Sequence, residues 1–456
     1  MLHFFHTVAA VSTPRGKGGI AVIRISGPDT RGVLDRVFRG KKRPAEHPRT
    51  ACFGEILNAR GEAVDEGLAL FFPAPHSFTG EDVAELSCHG GALLTETVLT
   101  AVLEAGAHAA EAGEFTRRAL LNGKMSLSGA EALGALLDAA TTGQMTLARG
   151  GMSGRLSAAV GVHFDRLSLL LADAFAKIDF PDEDLNTLSR EEFTAALAEV
   201  ESAIRALLAT YRTGHAVAEG IATVICGPVN AGKSTLYNAL VGREAAIVTD
   251  VAGTTRDVLC ETVALGNVTL RLFDTAGLRE TEDTVEGIGI GRTRAAMQEA
   301  ELILCVLDAT APFDKETQAL LADLEQLSAP VILLLNKWEG DVSFPTQKLQ
   351  KFQHILRISA KSGDVSALRE RVEALYLADG LSLREDAVVA NARQHAALSR
   401  AADALSVTLG SLRAGVPLDA ACTDAEMALQ ALGEVDGRAV DEAIISSIFS
   451  HFCVGK

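Results

Sequence analysis

The chain has 456 residues, too many for one ordinary hydrophobic core, so about two or three domains are expected. Its 48% hydrophobic and 22% charged residues exclude a disordered or fibrous protein, and no apolar run reaches membrane-span length. A formal net charge of −17 excludes a surface that grips nucleic acid throughout; the local cluster Arg36, Arg39, Lys41, Lys42 and Arg43 reads better as a solvated loop than as an RNA patch.

The first twenty residues, MLHFFHTVAAVSTPRGKGGI, carry no basic stretch ahead of their apolar residues, which is unlike a secretory signal. The seven cysteines (52, 88, 226, 260, 305, 422 and 453) show neither a Cys-x-x-Cys pair nor zinc spacing, and read as reduced thiols of a cytoplasmic protein. Along residues 1–118, IAVIRIS (Ile20–Ser26) is predicted as a strand stopped by Gly27-Pro28, with GLALFFP and DVAELSCHG as further strands. Residues 119–218 turn Ala/Leu-rich with helical periodicity. Pro181 interrupts them, and Ser189 with Glu192 has capping-box spacing for the next helix. Residues 219–378 alternate strands and helices. IATVICG, VTLRLFD, LILCVLDA and VILLLNK are near-continuous apolar runs, as strands buried on both faces require. Residues 379–456 are helical again, so the α/β block is expected to be inserted between two halves of one helical region.

GPVNAGKST (Gly227–Thr235) follows the strand IATVIC and opens a helix, the context a phosphate-binding loop needs. Backbone N–H groups and the helix N-terminus would cradle phosphates, Lys233 would bridge the β- and γ-phosphates, and Ser234 would ligate Mg2+. Asp274, Thr275, Ala276 and Gly277 (DTAG) end the strand VTLRLFD, with Asp274 placed to hold Mg2+ through water and Gly277 to sense the γ-phosphate. Asn336, Lys337 and Glu339 (NKWE), then Ser359, Ala360 and Lys361 (SAK), end later strands. An ATPase has no use for these last two motifs, whereas a guanine base edge does, so the set predicts a GTPase. Glu339 stands where an Asp is usual; it offers the same two oxygens on a longer stem, or else merely caps its loop. Leu278 stands where Ras-like enzymes place a water-orienting Gln, and no arginine finger is identifiable, although Arg256 and Arg279 are near. Thr255 in GTTRD supplies a switch threonine for Mg2+. Glu280, Glu282, Asp283 and Glu286 are all candidates for orienting water, and the residues alone do not choose among them.

The terminal HFCVGK (His451–Lys456) makes a poor prenylation box, since Gly is not aliphatic, Lys is an unusual last residue and no basic stretch precedes it. Cys453 is then either a buried small hydrophobe or a thiol delivered to a remote site. NAGKST, REAAIVTDVAGTTRDV, DTAGLRE, VEGIGI, TPRGKGGIAVIRISGP, SFTGEDVAEL and FCVGK together resemble the MnmE (TrmE) family of tRNA-modifying GTPases, and the likeness runs the length of the chain. The resemblance implies a multidomain α/β plus all-α fold: an N-terminal α+β folate-binding and dimerisation domain (1–118), a discontinuous helical domain (119–218 and 379–456) and an inserted Ras-like P-loop G domain (219–378). Carried over by position, it implies K+ held by Asn230 with Thr249, Val251 and Thr254, Mg2+ ligated by Ser234 and Thr255, and water oriented by Glu286. The nucleotide contacts would include Asn230, Ala231, Gly232, Lys233, Ser234, Thr235 and Thr249. It further implies a 5,10-methylene- or 5-formyl-tetrahydrofolate bound by Arg24, Glu85, Lys124 and Lys456, with Cys453 near its one-carbon unit. Arg24, inside an apolar strand, also reads as a structural ion pair. The family works as a homodimer with an FAD-containing MnmG-type partner in a heterotetramer. It modifies C5 of the wobble uridine of certain tRNAs, and neither membrane nor DNA is expected as a partner. The competing expectation is a ribosome-assembly GTPase switch resembling Era or Der; a Lys/Arg-rich RNA domain should then follow the G domain, and the helical segment found there is neutral to acidic. Val454 replaces the family's more usual Ile.

Overall fold

The computed structural model describes residues 6–14, 16–180, 187–243, 261–273, 296–339, 344–438, 445, 448–450, 452 and 454–455. They fall into two compact units, Met1–Gly134 with Gln430–Lys456, and Ala135–Leu429.

In the first unit, β1 (Val8–Val11), β2 (Ile20–Ser26), β3 (Phe38–Gly40), β4 (Cys52–Leu57), β5 (Ala63–Phe72), β6 (Val83–His89) and β7 (His108–Ala109) form one sheet in the order β3-β4-β5-β6-β2-β1-β7. Every pairing is antiparallel except β1 with β7. Strand alternation sorts the residues between two faces. Ile23, Ile25, Ala84 and Leu86 are buried with Val33, Leu34 and Val37 of helix Thr30–Val37 and with Val98 and Val102 of helix Ala92–Glu104. Cross-strand partners share a face, so the other side of the sheet carries the rows Arg24–Glu85–Leu70 and Val22–Ser87–Leu68–Phe53. Phe53 is 64% exposed and Ile20 69%.

The basic cluster near residue 40 is largely paired. Arg36 meets Asp29, Arg39 meets Glu55 and Arg43 meets Glu46, on exposed side chains, so the cluster is solvated as expected. Only Lys41, Lys42 and Arg43 lie in a loop, however: Arg36 stands on helix Thr30–Val37 and Arg39 on β3.

In the second unit, helix Arg155–Asp179 ends short of Pro181, and helix Arg190–Ala209 opens with the expected capping box of Ser189 and Glu192. Helix Arg190–Ala209 packs against both Arg155–Asp179 and Ala392–Arg413, so helices from before and after the α/β block share one core. The block itself is a sheet of β8 (Ile221–Cys226), β9 (Glu261–Leu265), β10 (Val268–Phe273), β11 (Leu302–Asp308), β12 (Val331–Asn336) and β13 (His354–Arg357), ordered β13-β12-β11-β8-β10-β9. Only β9 is antiparallel to its neighbour. Leu302, Leu304 and Val306 of β11 enter one core with helices Lys233–Arg243 and Ser366–Tyr376, whereas Ile303, Cys305 and Leu307 enter another with helix Lys315–Leu324. Burial on both faces is why these strands read as unbroken apolar runs.

At the N-terminal ends of β8 and β11, a polar cluster joins helix Tyr211–Ala218 to the sheet. His215 lies 3.4 Å from Glu219 and 3.1 Å from Glu301; Glu301 accepts from the Ala222 N–H at 2.8 Å and approaches Arg271 of β10 at 3.8 Å. The Tyr376 hydroxyl donates to the Glu301 carbonyl, and Tyr211 stacks on His395 while its ring lies tilted against that of His215. Among the described residues no helix is long and apolar enough to cross a membrane.

Candidate nucleotide site and N-terminal ligand site

The loops after β8, β12 and β13 meet at the C-terminal edge of the parallel strands, where open α/β sheets bind their ligands. The helix Lys233–Arg243 begins at the loop's lysine, and Ser234 and Thr235 lie exposed in its first turn. Lys233 Nζ donates to the carbonyls of Gly227 at 2.9 Å and Pro228 at 2.8 Å. Burial lowers its pKa from the ordinary lysine value, a shift that the charge of a bound phosphate would oppose.

Asn336 fastens two motifs at once. Its Nδ2 donates to the Ala231 carbonyl and its Oδ1 accepts from the Ala360 N–H, both at 2.8 Å, in a buried position. Gly232 is required beside it: at φ +100°, a Cβ there would stand 2.1 Å from Asn336 Nδ2. Lys337 makes a second tie, donating to the Asn230 carbonyl at 2.9 Å and to Asp308 Oδ2 at 2.6 Å. Asn230 and Lys337 both have positive φ, 62° and 61°, conformations that a non-glycine residue keeps only when its surroundings impose them. Burial alone would raise the Asp308 carboxyl, but hydrogen bonds from Lys337 and Thr310 hold it below its usual value. Asp308 belongs to none of the predicted motifs. It ends β11 one strand away from Asn336, its register partner, and only sheet pairing shows it.

Glu339 is exposed and accepts from the Ser359 hydroxyl at 2.8 Å, which joins the NKWE and SAK loops. Its own backbone N–H, that hydroxyl and the charge of Lys361 hold its carboxyl below the ordinary range. The arrangement presents an ionised carboxylate beside Ser359, Ala360 and Lys361, suited to the two donors of a guanine edge. Thr249, Val251, Thr254, Thr255, Asp274, Thr275, Ala276, Gly277 and Glu286 lie outside the described residues, as do Leu278 and the other candidate acids.

In the N-terminal unit, Arg24 and Glu85 are register partners on β2 and β6. Arg24 Nη2 and Nε donate to the same Glu85 oxygen at 2.9 and 3.1 Å. The guanidinium also lies 5.3 Å from the Phe78 ring centre and 5.7 Å from that of Phe115. The pair is therefore an ion pair, and it stands on the face of the sheet away from helices Thr30–Val37 and Ala92–Glu104, beside Phe115 of helix Glu114–Leu121. Lys124 donates to the Pro75 carbonyl at 2.9 Å, at the base of the same 75–82 loop.

What shapes that loop is a buried network absent from the predicted residues. Arg118, its side chain 2% exposed, donates to Glu81 at 3.0 Å and to Glu114 at 2.7 Å. Ser26 donates to Glu81 at 2.7 Å and, with its one proton so used, accepts from the Thr79 hydroxyl at 2.8 Å. Much of the SFTGEDVAEL motif is thus scaffold for Phe78. The signal in the sequence was Arg118 within the amphipathic stretch EFTRRALL, which would ordinarily be read as a surface charge.

The tail returns to this unit. Val454 bridges Ala112 in antiparallel fashion, and Ser12 Oγ donates to the Gly455 carbonyl at 2.9 Å. Gly455, at φ +100°, leaves no room for a side chain, since a Cβ would lie 2.2 Å from the Val11 carbonyl. Cys453 and Lys456 lie outside the described residues.

Two family models match this chain: GTP-binding protein TrmE N-terminus over residues 7–124 and MnmE helical domain over residues 127–453. The tRNA modification GTPase MnmE of Symbiobacterium thermophilum is 41% identical over 456 residues, covering 99% of each chain. Its counterpart in Heliobacterium modesticaldum is 41% identical over 466 residues, again with 99% of each covered. That of Pediococcus pentosaceus is 37% identical, over 99% of this chain and 98% of the relative.

Proposed function

This chain belongs to the MnmE family of tRNA modification GTPases, and from that membership we propose a K+-dependent GTP hydrolase that adds an aminomethyl or carboxymethylaminomethyl group to C5 of the wobble uridine of certain tRNAs. The observation that supports this reading best is the pair of ties from Asn336 and Lys337 to the phosphate loop, which make base recognition and phosphate binding one rigid corner.

Lys233 would hold the β- and γ-phosphates, and Asn336, Lys337, Glu339, Ser359, Ala360 and Lys361 would read the guanine. Ser234, exposed at the helix start, with Thr255 would ligate Mg2+. Asn230 is exposed at the tip of the loop and held at positive φ by Lys337, an arrangement that suits a cation ligand; Thr249, Val251 and Thr254 would complete the K+ site. The cation offsets charge that develops on the phosphates. Glu286 would orient the attacking water, the role for which Leu278 has no polar group.

Arg24, Glu85, Lys124 and Lys456 would bind a 5,10-methylene- or 5-formyl-tetrahydrofolate, with Cys453 beside the one-carbon unit. Binding there requires the Arg24–Glu85 pair to share its hydrogen bonds with the ligand: the guanidinium suits glutamate carboxylates and the carboxylate suits a pterin's donor edge. The exposed apolar row on the open face of the N-terminal sheet supports a homodimer. We place the FAD-containing MnmG-type protein as the partner, tRNA as the substrate and the cytoplasm as the site of action, with no membrane or DNA. The domain limits we retain are 1–118, 119–218, 219–378 and 379–456. Mass spectrometry of wobble-uridine modification after deletion of the gene tests the reading; unchanged modification, with no redundant route, overturns it. Potassium should stimulate GTP hydrolysis over sodium, and equal rates would remove the Asn230 assignment.

A further inference from the structure

In the second unit, helices Arg155–Asp179 and Arg190–Ala209 border a groove of about 810 Å3. Its apolar lining includes Val162, Leu169, Leu170, Leu188 and Ala196. Leu169 is 73% exposed and Val162 64%, a large apolar cost to leave in water on two residues that share a helix face, seven positions apart. The rim is acidic: Asp165, Asp173, Glu192 and Glu199 stand against the single guanidinium of Arg166, itself paired to Glu199 at 3.1 Å. Asp173 accepts the Leu188 N–H and Glu192 the Ser189 N–H, so these two carboxylates are held in place by the backbone at the groove edge.

An apolar floor between two helices takes the apolar face of a third helix. The charge of the rim selects whose helix it is. An RNA backbone is repelled by four carboxylates, and the homodimer proposed above places the second copy on the N-terminal sheet instead. We propose that the groove docks a cationic amphipathic helix of the FAD-containing protein partner, an inference that rests on the reading above that such a partner works with this chain. The partner's apolar residues fill the floor over Leu169 and Val162, and its Lys or Arg side chains meet the acidic rim.

The test is titration of the full-length chain with the purified FAD-containing partner at low and high salt. Leu169→Asp should weaken binding at least about tenfold, as loss of a central apolar anchor does. Basal GTP hydrolysis and the thermal midpoint should hold, because the side chain is already largely in water. Asp165→Lys should weaken binding less, about threefold, and flatten its salt dependence. Wild-type affinity in Leu169→Asp overturns the docking site and leaves the partner reading standing. No binding by the wild-type chain overturns that reading, and the proposal with it. Leu169→Asp that spares partner binding while changing self-association or tRNA affinity assigns the groove to another occupant and overturns the proposal.

Discussion

At the C-terminal edge of the second unit's sheet, most of the groups that would face GTP are held by main-chain oxygens, with Lys337 also paired to Asp308 and Glu339 to the Ser359 hydroxyl. Lys233 donates to Gly227 and Pro228, Asn336 to Ala231 and Lys337 to Asn230. On the N-terminal sheet, by contrast, Arg24 and Glu85 hold each other, and Arg118 holds Glu81 and Glu114. Main-chain ties fix a loop's shape and leave side-chain charge to answer a ligand. Side-chain pairs satisfy charge internally, so a ligand must compete with a partner already in place. The nucleotide corner should therefore respond to substitution in its affinity and rate, and the N-terminal site first in its stability.

The largest effect expected is at Arg118. Arg118→Met leaves Glu81 and Glu114 without their cation in a nearly buried position, and should destabilise the N-terminal unit by about 3–5 kcal/mol. Chemical denaturation followed by a probe in that unit measures it, and an unmoved transition would break the contrast drawn here. Lys233→Ala should lower GTP turnover at least about a hundredfold with little change in thermal midpoint, since its bonds are to loop carbonyls and the task proposed for it is to meet the phosphate charge. Asp308→Asn removes the charge that anchors Lys337, and should weaken a fluorescent GDP analogue about tenfold while the turnover at saturation stays near wild type. Loss of turnover with unchanged affinity would show that Asp308 acts elsewhere. Glu339→Asp shortens the carboxylate arm and breaks its contact with Ser359; a change of roughly threefold in the preference for GDP over inosine diphosphate is expected, and no change would reduce Glu339 to a loop cap.

A further expectation concerns pH and the cluster around His215. The carboxylates of Glu219 and then Glu301, close beside the imidazole, push its pKa up to about 9, against the opposing effect of burial. The groups facing it are Glu219 and Tyr211 on its own helix, Glu301 ahead of β11 and, beyond Glu301, Arg271 on β10. With the folded value above an unfolded one of about 6.5, the stabilisation is whole below that pH and is lost as pH rises through 9. Glu219 and Glu301 are held below the ordinary carboxyl value, so their share is present at neutral pH and lost on acidification. The thermal midpoint of the second unit should fall between pH 7 and pH 10, and His215→Gln should flatten that slope (about 6.5 to 9 being the window). An equal slope in the variant would place the titrating group elsewhere.

Much of this was legible beforehand where chemistry is local. The strand Ile20–Ser26, the capping box at Ser189 and the loop-then-helix at Lys233 each rest on neighbours a few residues apart, and each is found where the spacing puts it. The four apolar runs of the α/β block are strands as expected; β11 and β12, with cores on both faces, are apolar at nearly every position, whereas β10 keeps Arg271 on its second face.

The sequence by itself therefore determined the nucleotide corner's parts, because a phosphate loop and a guanine edge demand particular residues at short, fixed spacing. Tertiary structure alone decided what joins them. Asn336 reaches Ala231 across 105 positions, Arg24 meets Glu85 across 61, and Ser12 holds Gly455 across 443. Such contacts depend on strand register and chain return, and a buried arginine such as Arg118 looks like any surface charge until the carboxylates that compensate it are brought alongside.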